Sequence, residues 1–368
     1  SGAAPQLRLL LAVSALTGLS SFMYEIGWVR MLSLVLGSST HAFELMLSAF
    51  ILGIAFGGLW IRRRIDAAGD AMRLLGIVQI AMGIAALATL PVYAGSFYVM
   101  RAAVDALSSS EGAYTAFNLI SHGICLAVMF PAAFCAGMTL PLITVCLLRQ
   151  GGGERAIGQV YGANTLGAIA GVLIAVHVGL PLLGLKSLII AAAAIDLALG
   201  ILLLGTAPVR RFAFTVGATA VSLGAVALAA VAVHLDAHRM ASGVYRLGSL
   251  LNASNTTLLH HEDGKTSTVS VTLQNGVFSL RNNGKSDGSL NGDRAGAPTG
   301  DEPTMALLGT LPILIKPESR LVANIGFGTG LTAHALLASE RVERLDTIEI
   351  EPAVVRASRH LPGAGAGP

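Results

Sequence analysis

Charge is scarce in this chain. Only 12% of its 368 residues are Asp, Glu, Lys or Arg, against about 25% in a soluble domain. That scarcity excludes a chain that is soluble from end to end. With 54% hydrophobic residues, most of it reads as membrane protein. The net charge of +3 is too small to imply a nucleic-acid partner. Cysteine is scarce too: Cys125, Cys135 and Cys146 fall in one apolar segment. They read as small hydrophobes, which excludes a disulfide framework. With no Cys-x-x-Cys and no His-rich cluster, no metal site is expected. The first apolar run lacks a signal-peptide cleavage pattern and is read as a retained helix.

Long apolar runs are plentiful. A spanning helix needs roughly 20 mainly apolar residues, and seven stretches qualify: 7–29, 41–61, 72–95, 117–148, 158–182, 186–206 and 212–233. Small residues recur within them, as in "GIAFGG" and "GANTLGAIAG", which lets helices approach closely in lipid. The fourth stretch is long for one span and holds Pro131 and Pro141, which predicts a kink or a re-entrant piece. Arg62, Arg63, Arg64 and Arg73 follow the second stretch, Arg149 and Arg155 the fourth, and Arg210 and Arg211 the sixth; the opposite loops hold Arg30, Arg101 and Lys186. Basic loops stay cytoplasmic. The expectation is therefore a multi-pass cell-membrane protein with lipid around it and a cytoplasmic N-terminus. An odd number of spans puts the chain beyond 235 outside the cytoplasm. Glu25, Arg30, Glu44, His177 and Asp196 are ionisable groups at or near membrane depth, each a functional hypothesis by default. The structural reading is the stronger one: Glu25 pairs with Arg30, and Asp196 accepts a hydrogen bond within the bundle. No continuous proton path or ion filter is legible.

Past residue 235 the composition changes. Between 236 and 300, "TSTVSVTL" alternates with period two and "GVFSLRNNG" follows an Asn-Gly turn, which predicts a hairpin or small antiparallel sheet. Asn252 and Asn255 match the short glycosylation pattern, a weak signal. His260 and His261 are adjacent, so they face opposite ways on a strand and read as surface residues.

From 301 to 368 the pattern becomes α/β. Pro303 to Leu311 suits a helix started by proline. "RLVANIG" reads as a buried strand, and Gly326, Gly328 and Gly330 make a G-x-G-x-G turn with Phe327 and Thr329 between them. "LTAHALLAS" reads as a helix and "RLDTIEIE" as the next strand, with Glu349 nineteen residues after Gly330. Glycines let backbone approach a ligand, and an acid about 20 residues on can hold two ribose hydroxyls. A dinucleotide fingerprint is G-x-G-x-x-G, whereas position 331 is leucine. The observed spacing suits an adenosyl-sulfonium ligand, which has no pyrophosphate to seat.

These pieces carry a resemblance. "DEPTMALLGTLPILIKPESRLVANIGFGTG", "DTIEIEP" and the tail "ASRHLPGAGAG" resemble the polyamine aminopropyltransferases, the spermidine and spermine synthases. "YEIGWVRMLSLVLGSSTHAF" and "YGANTLGAIAGVLIAVHVGLPLLGLKS" are similar to the bundle of membrane-fused spermidine synthase-like proteins. The implied architecture is a multi-pass helical membrane bundle (1–235), a small antiparallel β domain (236–300) and the first part of a Rossmann-like, methyltransferase-type α/β fold (301–368).

The resemblance implies that Glu349 holds the ribose of decarboxylated S-adenosylmethionine, a co-substrate and not a resident cofactor. Gly326, Phe327, Gly328, Thr329 and Gly330 would lie under the same ligand. Asp287, Asp301 and Glu302 are candidates for holding the cationic amine, putrescine or a relative. Thr329 stands where the soluble enzymes carry Asp, and Asp287 where a glutamine is common. The family's adenine-contacting acid and catalytic aspartate correspond to segments later than residue 368, so the 368 residues are expected not to turn over putrescine and no base is assigned among them. Two other readings remain open. One is a non-catalytic subunit that uses a degenerate synthase domain to bind or assemble with protein partners in the membrane; the other is a transporter-like bundle.

Overall fold

A computed structural model describes residues 3–67, 69–107, 113–149, 151, 153–206, 212–293 and 296–362. The chain divides into two compact units, Ser1–Leu235 and Asp236–Pro368.

The first unit is helical: α1 (Ala3–Leu36), α2 (Thr40–Arg62), α3 (Ala71–Leu107), α4 (Ala113–Arg149), α5 (Glu154–Ile174), a π-helical segment (Ala175–Leu183), α6 (Gly184–Gly205) and α7 (Phe212–Ala232). The Ser39 hydroxyl caps α2 by accepting from Ala42 N–H, one of the donors a helix start leaves unpaired. Among the described residues, six helical stretches are long and apolar enough to cross a membrane. The two stretches expected at 158–182 and 186–206 form one of these, Glu154–Gly205, of 52 residues. At 1.5 Å per residue a straight helix of that length would run about 78 Å, far beyond a hydrocarbon core of about 30 Å. It does not run straight. Gly184 has φ of 75°, a left-handed value that favours glycine, and the chain reverses there. Contacts with α1 show the reversal. Along α5, Asn164 lies against Ser14 and Gly171 against Leu19, so α5 runs with α1. Along α6, Ile189 lies against Gly27 and Asp196 against Ser20, so α6 runs against it.

The fourth stretch has no re-entrant piece. α4 continues unbroken for 37 residues through Pro131 and Pro141. Proline removes a donor but leaves a helix continuous where neighbouring helices hold it. α2 and α3 pack along α4. Glycine makes the closest approaches: a Cβ on Gly57 would strike the Phe134 carbonyl, one on Gly137 the Ile54 carbonyl, and one on Gly167 the Ala15 carbonyl. The expected small-residue packing is thus observed at named positions. At the helix ends, the Arg64 guanidinium lies 4.1 Å from the Trp60 ring centre, and Arg149 donates to the Ile65 carbonyl at 3.0 Å. Arg210 and Arg211 fall outside the described residues.

The second unit begins with two single turns, α8 (Ala237–Met240) and α9 (Val244–Leu247), followed by β1 (Thr257–Asp263), β2 (Thr268–Gln274), β3 (Val277–Asn282) and β4 (Lys285–Asn291). These strands form an antiparallel meander in chain order. Both later hairpins turn on Asn-Gly: Asn275 and Gly276 have φ of 50° and 80°, and Asn283 and Gly284 have 47° and 78°. Positive φ at both central residues is what a two-residue hairpin turn demands. Next come α10 (Asp301–Ile315), β5 (Leu321–Ile325), α11 (Leu331–Leu337), β6 (Arg344–Ile348) and α12 (Pro352–Ser358). β5 and β6 pair in parallel, Leu321 opposite Arg344 through Ile325 opposite Ile348. One apolar core joins the meander to the α/β part. Val269, Val271, Leu280 and Leu290 meet Ala353, Val354, Ala357 and Leu361, with Met305, Phe327 and Leu331 around them.

β5 is not the buried strand its composition predicts. Leu321 is 75% exposed and Ile325 87%. Alternate residues of a strand face opposite sides, and only one side of β5 is covered among the described residues. Ile348 and Ile350 are likewise exposed.

Candidate functional site

The site is built at the end of β5. Gly326, Gly328 and Gly330 have φ of 88°, 56° and 83°, conformations costly for any residue with a Cβ. A Cβ at Gly326 or Gly328 would meet nothing within 4 Å. Backbone conformation therefore selects glycine there, and the space above the turn is open. The turn is held by Gly326 N–H donating to the Ile348 carbonyl at 2.8 Å and Gly330 N–H donating to the Phe327 carbonyl at 3.0 Å. The first of these ties the turn to the end of β6, where Glu349 follows.

Glu349 is brought onto the turn. Its Oε2 accepts from Phe327 N–H at 2.8 Å, and its Oε1 accepts from Glu351 N–H at 2.9 Å. A carboxylate offers about four lone-pair sites. Two are used, which leaves capacity for two further donors such as a vicinal pair of hydroxyls.

The other expected site residues divide. The Thr329 hydroxyl points to the Met305 sulfur at 3.1 Å, and its methyl abuts Gly288 on β4. Asp287 is the residue that β4 bulges out between Ser286 and Gly288, opposite no residue of β3; it accepts from Asn282 Nδ2 at 2.5 Å and pairs with Lys285 at 3.4 Å. Asp301 accepts from the Ser289 hydroxyl at 2.6 Å. Both Glu302 oxygens are taken by backbone, Asn291 N–H at 2.7 Å and Thr299 N–H at 2.9 Å. Asp301 and Glu302 thus tie α10 to β4. Among the described residues no group of three or more His, Cys, Asp or Glu is arranged to hold a metal ion.

One acid escaped sequence reasoning. Glu351 is 3% exposed. Its carboxylate accepts from Thr266 N–H at 2.6 Å, the Thr266 hydroxyl at 2.9 Å, Ser267 N–H at 3.3 Å and Ala353 N–H at 3.1 Å. It caps α12 and clamps the β1–β2 turn at once. Burial pushes its carboxyl up, but the N–H and hydroxyl donors outweigh burial and hold it below the usual value. The signal available in sequence was Pro352 directly after it, since proline favours the first helical position. Glutamate is a rare cap, which hid the role. Nearby, Arg356 meets Glu262 through two hydrogen bonds, and the rings of His260 and His360 stack 5.1 Å apart. His261 Nδ1 lies 2.9 Å from the Ser270 hydroxyl. Both adjacent histidines are therefore half-buried and partnered, where plain surface residues were expected. Burial lowers each of them, against the neighbouring acids Glu262 and Asp263.

No protein-family model matches the chain, and no solved structure matches it. Among curated proteins, polyamine aminopropyltransferase 2 of Streptomyces coelicolor is 26% identical over 357 residues, which cover 93% of this chain. The chain spans 57% of that relative's length. This similarity runs through both units and supports a distant, spermidine synthase-like relationship.

Proposed function

We propose that the chain is a membrane-embedded, aminopropyltransferase-like protein whose second unit binds decarboxylated S-adenosylmethionine or a related adenosyl ligand at the glycine turn. The observation that carries this reading is the Glu349 carboxylate, which accepts the Phe327 N–H inside the turn and keeps two acceptor sites for ribose hydroxyls. The glycine backbone at 326 and 328 would lie under the ligand, in open space. The Rossmann-like character of 301–368 rests on the β5–α11–β6 unit with its parallel pair. Membrane insertion rests on the six long apolar stretches among the described residues, which the reversal at Gly184 would make seven crossings.

Titration calorimetry on the purified chain tests the ligand. Binding of decarboxylated S-adenosylmethionine, weakened at least tenfold in Glu349→Ala, is expected, since a charge-assisted pair of hydrogen bonds contributes about 1.5–3 kcal/mol. Equal affinity in the variant, or no binding by either protein, would reject the assignment. A second reading, binding or assembly with other proteins through a degenerate synthase domain, is favoured by Thr329 in place of an acid and by the exposed apolar residues Leu307, Leu311, Leu314 and Ile315 on α10.

A further inference from the structure

Asp196 sits in the core of the bundle with no exposed surface. Its partners are two hydroxyls: Ser20 Oγ donates to Oδ1 at 2.7 Å, and Tyr24 OH donates to Oδ2 at 2.7 Å. Among the described residues it has no ion-pair partner. A buried carboxylate without a counter-charge costs several kcal/mol, so the site requires a positive charge or a proton. Ser20 shows which. The same hydroxyl also lies 3.1 Å from the Thr17 carbonyl, yet it has one proton to donate. With Asp196 ionised, Ser20 donates to Oδ1. With Oδ1 protonated, Asp196 donates to Ser20 Oγ, and the Ser20 proton turns to the Thr17 carbonyl. Tyr24 donates to Oδ2 in both states. Every polar atom named is satisfied either way, and an oxygen–oxygen separation of 2.7 Å is a hydrogen-bond length that holds a proton and nothing larger between the two atoms.

We propose that Asp196, Ser20 and Tyr24 form a reversible proton-binding site in the core of the bundle. Further polar side chains are buried along α1. Ser14, Thr17, Ser20 and Tyr24 lie on one buried face; the Ser14 hydroxyl donates to the Val160 carbonyl at 2.8 Å, Gln79 of α3 donates to the Thr17 hydroxyl, and among the described residues the buried Gln79 Oε1 has no partner. The titratable groups whose charge acts with that of Asp196 are Tyr24 from α1 and Cys135 from α4; α3 brings the uncharged Gln79.

Infrared difference spectroscopy of the purified chain across pH tests the site. A carboxylic-acid C=O band should disappear as pH rises and be missing from Asp196→Asn at every pH. In Tyr24→Phe, which keeps the carboxylate, the band should move to higher frequency because its oxygen loses a donor. Should Asp196→Asn fail to fold, the Tyr24→Phe shift decides alone. A band series identical in wild type and both variants would overturn the proposal. So would a band that persists unchanged at all pH, or one abolished by sodium at fixed pH, which would mean a metal-ion site.

Discussion

Glu349 and Glu351 lie two residues apart and perform different tasks. Glu349 leaves acceptor capacity over the glycine turn, whereas Glu351 spends its oxygens on four donors of its own chain. Because the folded protein holds the Glu351 carboxyl below its ordinary value of 4.5, its stabilising contribution is fully present above about pH 4.5 and is lost as pH falls through the folded value. Amide hydrogen exchange should therefore show Thr266, Ser267 and Ala353 losing protection on acidification, and losing it at neutral pH in Glu351→Ala. That substitution takes the acceptor from the Thr266, Ser267 and Ala353 N–H groups, of which Ala353 alone belongs to a buried residue, and should cost about 1–3 kcal/mol. Protection unchanged in the variant would show that the clamp does not hold α12. The spacing of glycines and an acid made Glu349 legible in sequence. It could not separate Asp287, Asp301 and Glu302 from structural acids, since which face of β4 a side chain takes, and which backbone N–H lies opposite, are set only by tertiary pairing.

The elements were legible where period and turn chemistry agreed. Asn275-Gly276 and Asn283-Gly284 mark the hairpins by composition alone. The strand character of β5 was also legible, but its burial was not, because a run such as "RLVANI" says nothing about whether both faces find partners. In the bundle, glycine spacing anticipated close approach without saying which helix approaches. α5 makes the point: Gly167 lies against the Ala15 carbonyl of α1, while a Cβ at Gly162 would meet nothing within 4 Å. Gly167→Val should destabilise the bundle by about 1–3 kcal/mol or more through overpacking against backbone. Gly162→Val should stay within about 0.5 kcal/mol of wild type. Thermal unfolding of the two variants in detergent compares them directly. Equal melting temperatures would show that α1 and α5 do not meet at Gly167.

At the scale of the whole chain, sidedness turns on parity. The basic residues after the second and fourth stretches would keep those loops in the cytoplasm, because a basic loop resists translocation. Six apolar stretches would return the second unit to the cytoplasm. The reversal at Gly184, where α5 runs with α1 and α6 against it, would turn the fifth into two crossings. Seven crossings would put residues beyond about 235 outside. A synthase role pulls the other way, because a working aminopropyltransferase should face the compartment that makes its sulfonium donor. Single cysteines placed at Ser254 and Ser339 separate the two. The native Cys125, Cys135 and Cys146 are buried, so background labelling is low. Intact cells treated with a membrane-impermeant maleimide should label both introduced positions. Labelling only after the membrane is broken would place the unit in the cytoplasm. It would remove one crossing from the bundle and favour a donor-binding synthase over an external binding or assembly domain.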